Sequence, residues 1–199
     1  MKPIPKLLIT LGALAALAVP GVSALPAYAG GDNAAAAVNT TDGKTVYRIA
    51  INVTRNNTRV VTNTNIALAY STCTGCNTVA VAFQMVLETA NPTVVAPTNL
   101  AIAENFGCTD CTTVAEATQV AVMTDGQVHF RAAGYQMLAS IRRDLQALRS
   151  EDLTFDQLVA QVQFDANEFT CLVSPTQQLP PPFNFKCSVY DQLVPAGNR

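Results

Sequence analysis

One unit occurs twice between Asn65 and Val122, and it constrains the fold more than any other feature of the chain. The first copy reads NIALAYSTCTGCNTVAVAFQMV from Asn65, the second NLAIAENFGCTDCTTVAEATQVAV from Asn99. Cys73, Cys76, Ala80, Ala82 and Gln84 are answered by Cys108, Cys111, Ala115, Ala117 and Gln119 at a shift of 35. Ahead of the cysteines the shift is 34, from Asn65, Ala67 and Ala69 to Asn99, Ala101 and Ala103. The second copy therefore carries one inserted residue just before its cysteines. Self-similarity at a fixed spacing marks an internally duplicated structural unit and by itself names no chemistry.

Within each copy the pattern alternates. Val79, Val81, Phe83, Met85 and Leu87 share one face, and Ala80, Ala82, Gln84 and Val86 the other. Tyr47, Ile49, Ile51 and Val53 alternate in the same way ahead of the duplication. A period of two with many β-branched residues predicts strands. Between Val60 and Thr124 there is no Lys or Arg, so both faces of this sheet need cover. The cover is either the C-terminal helices or a second copy of the protein. Ala, Gln and Met also suit helices, which leaves a mostly α reading as the alternative.

Beyond residue 131 the period becomes helical. Leu138, Ile141, Leu145 and Leu148 form one stripe, and Thr154 with Gln157 forms a capping box at the start of a second helix. Phe155, Val159, Val162, Ala166 and Phe169 are its expected buried side. The expected architecture is α+β, a duplicated antiparallel β module with Cys-x-x-Cys turns followed by a helical hairpin. Its parts are a signal peptide at 1–29, a flexible N-terminal segment at 30–43, the β module at 44–130, the hairpin at 131–170, and a Pro-rich, disulfide-closed tail at 171–199.

The N-terminus has the build of an export signal, with Lys2 and Lys6 before an apolar run and Ala27-Tyr28-Ala29 as a small-x-small cleavage site. Cleavage would start the mature protein at Gly30 and leave it more acidic than the −2 of the whole chain. No basic footprint for nucleic acid is present, and no later run is apolar and long enough to span a bilayer. The expected location is secreted or cell-surface. An exported chain with six cysteines reads as disulfide-bonded. Cys73–Cys76 and Cys108–Cys111 are the expected local pairs, with cross-pairing between copies open, and Cys171 with Cys187 brackets the Pro-rich loop.

Candidate chemistry is sparse. Cys73, Cys76, Cys108 and Cys111 are an alternative zinc set, or alternatively redox dithiols, although their Thr/Gly and Thr/Asp turns lack the strand-to-helix setting of a redox motif. His129 is the only histidine, no serine stands in a nucleophile elbow, and no phosphate-binding loop is present. Glu104 and Glu116 stand out because acids are rare in the module, and they are candidates to hold a cation or end a sheet. Tyr70, Phe83 and Phe106 are the candidate lining of a binding groove.

The Asn-x-Ala-x-Ala, Cys-x-x-Cys, Thr-Val-Ala-x-Ala-x-Gln pattern resembles a group of exported bacterial proteins with a duplicated module, over roughly Val46 to Arg149. Some of that group are labelled peptide zinc metalloprotease. This chain has no His-Glu-x-x-His, so the resemblance implies export and not activity. The expectation is an exported structural or cell-surface-associated protein, open to self-assembly, with no evident catalytic site or cofactor. Its partner would be itself or another extracellular protein. The alternatives are a small extracellular binding module and a Cys-x-x-Cys redox or zinc enzyme.

Overall fold

The computed structural model describes residues 7–11, 31–89, 92–124, 127–150, 153–173 and 193–195. Among these residues eleven strands and two helices follow in chain order: β1 Leu7–Leu11, β2 Asn33–Asn39, β3 Thr45–Asn56, β4 Val60–Val61, β5 Thr64–Ser71, β6 Asn77–Glu88, β7 Val94–Val95, β8 Thr98–Asn105, β9 Thr112–Met123, β10 Val128–Phe130, α1 Ala132–Ala147, α2 Phe155–Cys171 and β11 Leu193–Pro195.

The strands of the module are parallel, which corrects the antiparallel expectation. Strand β2 pairs with β5 and β5 with β8, giving one sheet. Strand β3 pairs with β6 and β6 with β9, giving a second. The short β4 pairs with β7. None of β2 to β9 pairs with its neighbour in sequence. Each pairs with the strand in the same position one circuit later, so the chain winds as a β-solenoid: β2-β3-β4, then β5-β6-β7, then β8-β9. Alternation alone is the same for parallel and antiparallel strands. The 34- and 35-residue shifts are the coil lengths themselves, as Asn65↔Asn99 and Ala80↔Ala115 show.

There are three circuits, because residues 33–39 of the segment expected to be flexible form the first-circuit strand β2. Asn33, Ala35 and Ala37 lie in register with Asn65, Ala67 and Ala69. The entry is pinned by the carbonyl of Gly31, which accepts from Gln84 Nε2 at 2.7 Å and Asn63 Nδ2 at 3.1 Å. Gly31 has φ 105°, and a Cβ there would lie 2.6 Å from Asn63 Nδ2, so only glycine fits.

The inner faces of the two sheets meet through alanine. Ala35, Ala37, Ala67, Ala69, Ala80, Ala82, Ala101, Ala115 and Ala117 form this layer. Polar side chains inside it are stacked and bonded. Asn33 Nδ2 donates to Asn65 Oδ1, and Asn65 Nδ2 to Asn99 Oδ1, each at 2.8 Å. Asn65 Nδ2 also reaches the carbonyls of Ala82 and Thr118, and Gln119 Nε2 bonds to Gln84 Oε1. A buried amide is tolerated where its donors and acceptors are used. The asparagine stack meets this from coil to coil, whereas Gln119 Oε1, in the last coil, has no hydrogen-bond partner among the described residues.

The other face of the β3-β6-β9 sheet carries Tyr47, Val79, Val81, Phe83, Met85, Leu87, Val120 and Val122, and the helices cover it. Phe83 meets Phe169 with ring centroids 5.5 Å apart. The helical hairpin and the capping box of Thr154 are as the sequence indicates. The buried side of α2 is turned slightly: Leu158, Val162, Asp165, Ala166 and Phe169 are buried, whereas Phe155 is 52% exposed. The Pro-rich segment, Cys187 and the cleavage site at Ala27-Tyr28-Ala29 lie outside the described residues. Strand β1 lies antiparallel on the edge of β9, from Leu7↔Val122 to Leu11↔Thr118.

Candidate functional site

The duplicated cysteines sit at a corner of the solenoid, where the chain passes from one sheet to the other. Gly43, Gly75 and Asp110 occupy equivalent corner positions in the three circuits, with φ of 66°, 61° and 54°. A tight corner needs a left-handed residue there, which glycine or a short polar side chain supplies. The residue inserted in the third circuit falls at the same corner, where Gly107 is also left-handed, with φ 60°. Thr74 bridges Thr109 in parallel, so the two Cys-x-x-Cys turns are stacked.

Cys73 is bonded to Cys76, and Cys108 to Cys111. The four sulfurs lie within 4.8 Å of one another, and Cys76 Sγ and Cys111 Sγ are 3.3 Å apart. The first pair is buried and the second half-buried. Zinc is held by thiolates, and paired in disulfides these sulfurs are not thiolates. A redox dithiol is activated at a helix N-terminus, and these turns join strand to strand. The corner is a covalent clasp on each of two coils. Cys171, at the end of α2, is also disulfide-bonded.

The other expected site residues do not converge. Phe83 is fully buried under the helices. Tyr70 is half-buried on the outer face of the opposite sheet, and Phe106 is 66% exposed at the third-circuit corner. These three aromatics are therefore not brought together in one place. Glu104 stands in register with Tyr70 in the β5-β8 pair, whereas Glu116 stands in register with Val81 in the β6-β9 pair. They belong to different sheets. Burial raises the Glu116 carboxyl above its ordinary value, and a hydrogen bond from Thr118 Oγ1 at 3.1 Å acts against that rise. His129 is half-buried in β10. A surface depression of about 220 Å³ is lined by Thr45, Val46, Tyr47, Arg48 and Arg149, smaller than the pockets that enclose drug-sized ligands.

A second polar cluster went unnoticed in the sequence. Asp144 on α1 and Asp165 and Glu168 on α2 bring one carboxylate oxygen each within 4.8 Å of the others. Asp165 is fully buried. Its Oδ1 accepts from Gln161 Nε2 at 3.4 Å, and its Oδ2 has no hydrogen-bond partner among the described residues. Burial pushes the Asp165 carboxyl up to about 7, helped by the negative charges of Asp144 and Glu168. Glu168 is raised as well, by burial and then by Asp144. The sequence signal was available: in the stripe Leu158, Val162, Asp165, Phe169, one helical position facing the core holds an acid.

No protein-family model, curated protein or solved structure matches this chain.

Proposed function

We propose that the protein is an exported structural or cell-surface-associated scaffold whose coils associate end to end with further copies. The observation that carries this reading is the in-register parallel stack. Strands β2 and β3 end their sheets on one side, and β8 ends its sheet on the other. A solenoid grows by adding equivalent coils, and its terminal strands present the same backbone pattern that the next coil would use. The Asn33–Asn65–Asn99 stack repeats along the same direction, so a further coil would meet amides already spaced for it.

Two further observations support a scaffold. The interior is filled by alanine and bonded amides, leaving the named aromatic residues without a shared groove. The reactive side chains of the module, its four corner cysteines, are closed as disulfides. Among the described residues, no helix is long and apolar enough to cross a membrane. The long edge of β9 is occupied by β1 over five residues, and removal of a signal peptide at 29/30 would vacate it.

The test is light scattering over a wide concentration range, with electron microscopy, on the chain starting at Gly30 and on the chain retaining residues 1–29. Concentration-dependent oligomers or filaments, stronger for the shorter chain, are expected. A shorter chain that stays monomeric throughout overturns the end-to-end reading.

A further inference from the structure

We propose that Asp144, Asp165 and Glu168 form a binding site for one hard divalent cation of the calcium class, held between α1 and α2. The site is independent of the scaffold reading and lies on the opposite side of the β3-β6-β9 sheet from the alanine layer. Three oxygens, one from each carboxylate, lie within 4.8 Å of one another. Surface acids often cluster without an ion, but here Asp144 and Glu168 are half-buried and Asp165 is buried. Asp165 is fully buried and stands among Leu158, Val162, Ala166 and Phe169 on the core side of α2. Its Oδ2 is buried without a hydrogen-bond partner among the described residues. A buried carboxylate oxygen left without a partner is costly, and a bound cation is one of the few groups that relieve it.

The surroundings favour a positive charge. Neither helix has a basic residue in its last turn, and Asp144 and Glu168 lie in those last turns. Helix C-termini carry partial negative charge, so acids there are disfavoured unless a cation joins them. Asp165 and Glu168 are three apart and project from the same side of α2. Asp144 is held by Ser140 Oγ at 3.2 Å, and Asp165 by the Gln161 amide. The set contains oxygen and neither imidazole nor thiolate, which suits calcium, magnesium or manganese over zinc or copper. Three carboxylates against one divalent ion leave room for water to complete the six to eight ligands that calcium takes. Bound there, the ion would pin α1 to α2 over the bulky face of the sheet.

The experiment uses the mature chain, stripped with a chelator and titrated at pH 7.5 with Ca²⁺, Mg²⁺ and Zn²⁺ by calorimetry and thermal unfolding. One Ca²⁺ per chain is expected, with a rise in Tm. Asp165→Asn should abolish that rise and should unfold at a higher temperature than wild type in chelator, because it removes the buried charge. Glu168→Gln, at a half-buried position, should weaken calcium binding by about tenfold or more. No heat and no Tm change in wild type at about 10 mM Ca²⁺, above the range of weak extracellular sites, overturns the proposal and leaves the cluster sharing a proton. If Asp165→Asn does not fold, a folded Glu168→Gln that binds Ca²⁺ as tightly as wild type overturns it equally.

Discussion

The two faces of strand β6 obey opposite rules. One presents Ala80, Ala82 and Gln84 to the other sheet, and the other presents Val79, Val81, Phe83, Met85 and Leu87 to the helices. Both are buried, yet the first is stabilised by repetition and the second by volume. Between the sheets, each small side chain sits on its equivalent one coil away, and the amides close their hydrogen bonds along the stack. Beneath the helices most positions change from coil to coil, with Val81 in register with Glu116 and Phe83 with Thr118, and shape is matched by large side chains from α1 and α2. The solenoid interior is therefore sensitive to added atoms and lost amides, and the helical layer to lost atoms and uncompensated charge.

The largest effect should come from neighbouring substitutions on opposite faces. Phe83→Ala removes a fully buried ring that packs on Phe169 and should cost about 3–5 kcal/mol. Ala82→Leu, one residue away, should cost about 1–3 kcal/mol by forcing the sheets apart. Urea unfolding of both variants measures the contrast. If Ala82→Leu is neutral, the alanine layer is not a tight contact between the sheets.

Within the stack, the middle amide should matter more than the last. Asn65 is fully buried and bonds to Asn33, Asn99 and the carbonyls of Ala82 and Thr118. Asn65→Ala should cost about 2–3 kcal/mol through the groups it leaves unpaired. Asn99→Ala, at a half-buried position in the last circuit, should cost about 1 kcal/mol. Equal losses in denaturant unfolding would mean that the amides act singly and not as a stack.

The sequence disclosed these two regions unevenly. The helical hairpin was legible because Thr154, Gln157 and the leucine stripe of α1 are local signals that tertiary context did not override. The duplication was legible, but its strand direction was not, because period-two alternation carries no information about which strand is the partner. The first circuit was hidden because Asn33-x-Ala35-x-Ala37 keeps only the small, inward residues of the repeat and lacks cysteines at its corner. Those inward residues were nevertheless the ones shared by all copies. Asp165 was legible as an acid within an apolar stripe, but its partnership was not, because only the fold sets Asp144 of α1 beside it.

The charge on the helical side gives a pH test with no counterpart in the alanine layer. In chelator, Asp165 in the folded chain holds its proton up to about 7, whereas an unfolded Asp releases it near 3.9. The folded state binds the extra proton between these values, so stability is fully present below pH about 4 and is lost as pH rises through about 7. The loss should be about 2 kcal/mol after allowance for solvent screening. Denaturant unfolding of wild type and Asp165→Asn from pH 4 to 8 should show a steeper fall in wild type, since the variant keeps only the contributions of other raised carboxyls such as Glu116 and Glu168. An identical slope in both assigns it to other groups.

The smallest effect concerns the corner that joins the two sheets. Gly43, Gly75 and Asp110 are equivalent, and all three are left-handed. In the third circuit an aspartate occupies the place that the first two give to glycine, at a half-buried disulfide whose counterpart in the second circuit is buried. A side chain in this conformation costs about 1 kcal/mol, somewhat less for Asp than for most residues. Asp110→Gly should therefore be neutral or stabilise by up to about 0.5 kcal/mol, since glycine also adds freedom to the unfolded chain. Gly75→Ala should destabilise by about 1 kcal/mol: nothing lies within 4 Å of the added Cβ, so backbone strain is the only penalty. Chemical denaturation of the two variants with disulfides intact reads both signs. A Gly75→Ala cost well above this would mean that the stacked corner tolerates no adjustment. In that case the corner, and not the amide stack, would set the register of the coils.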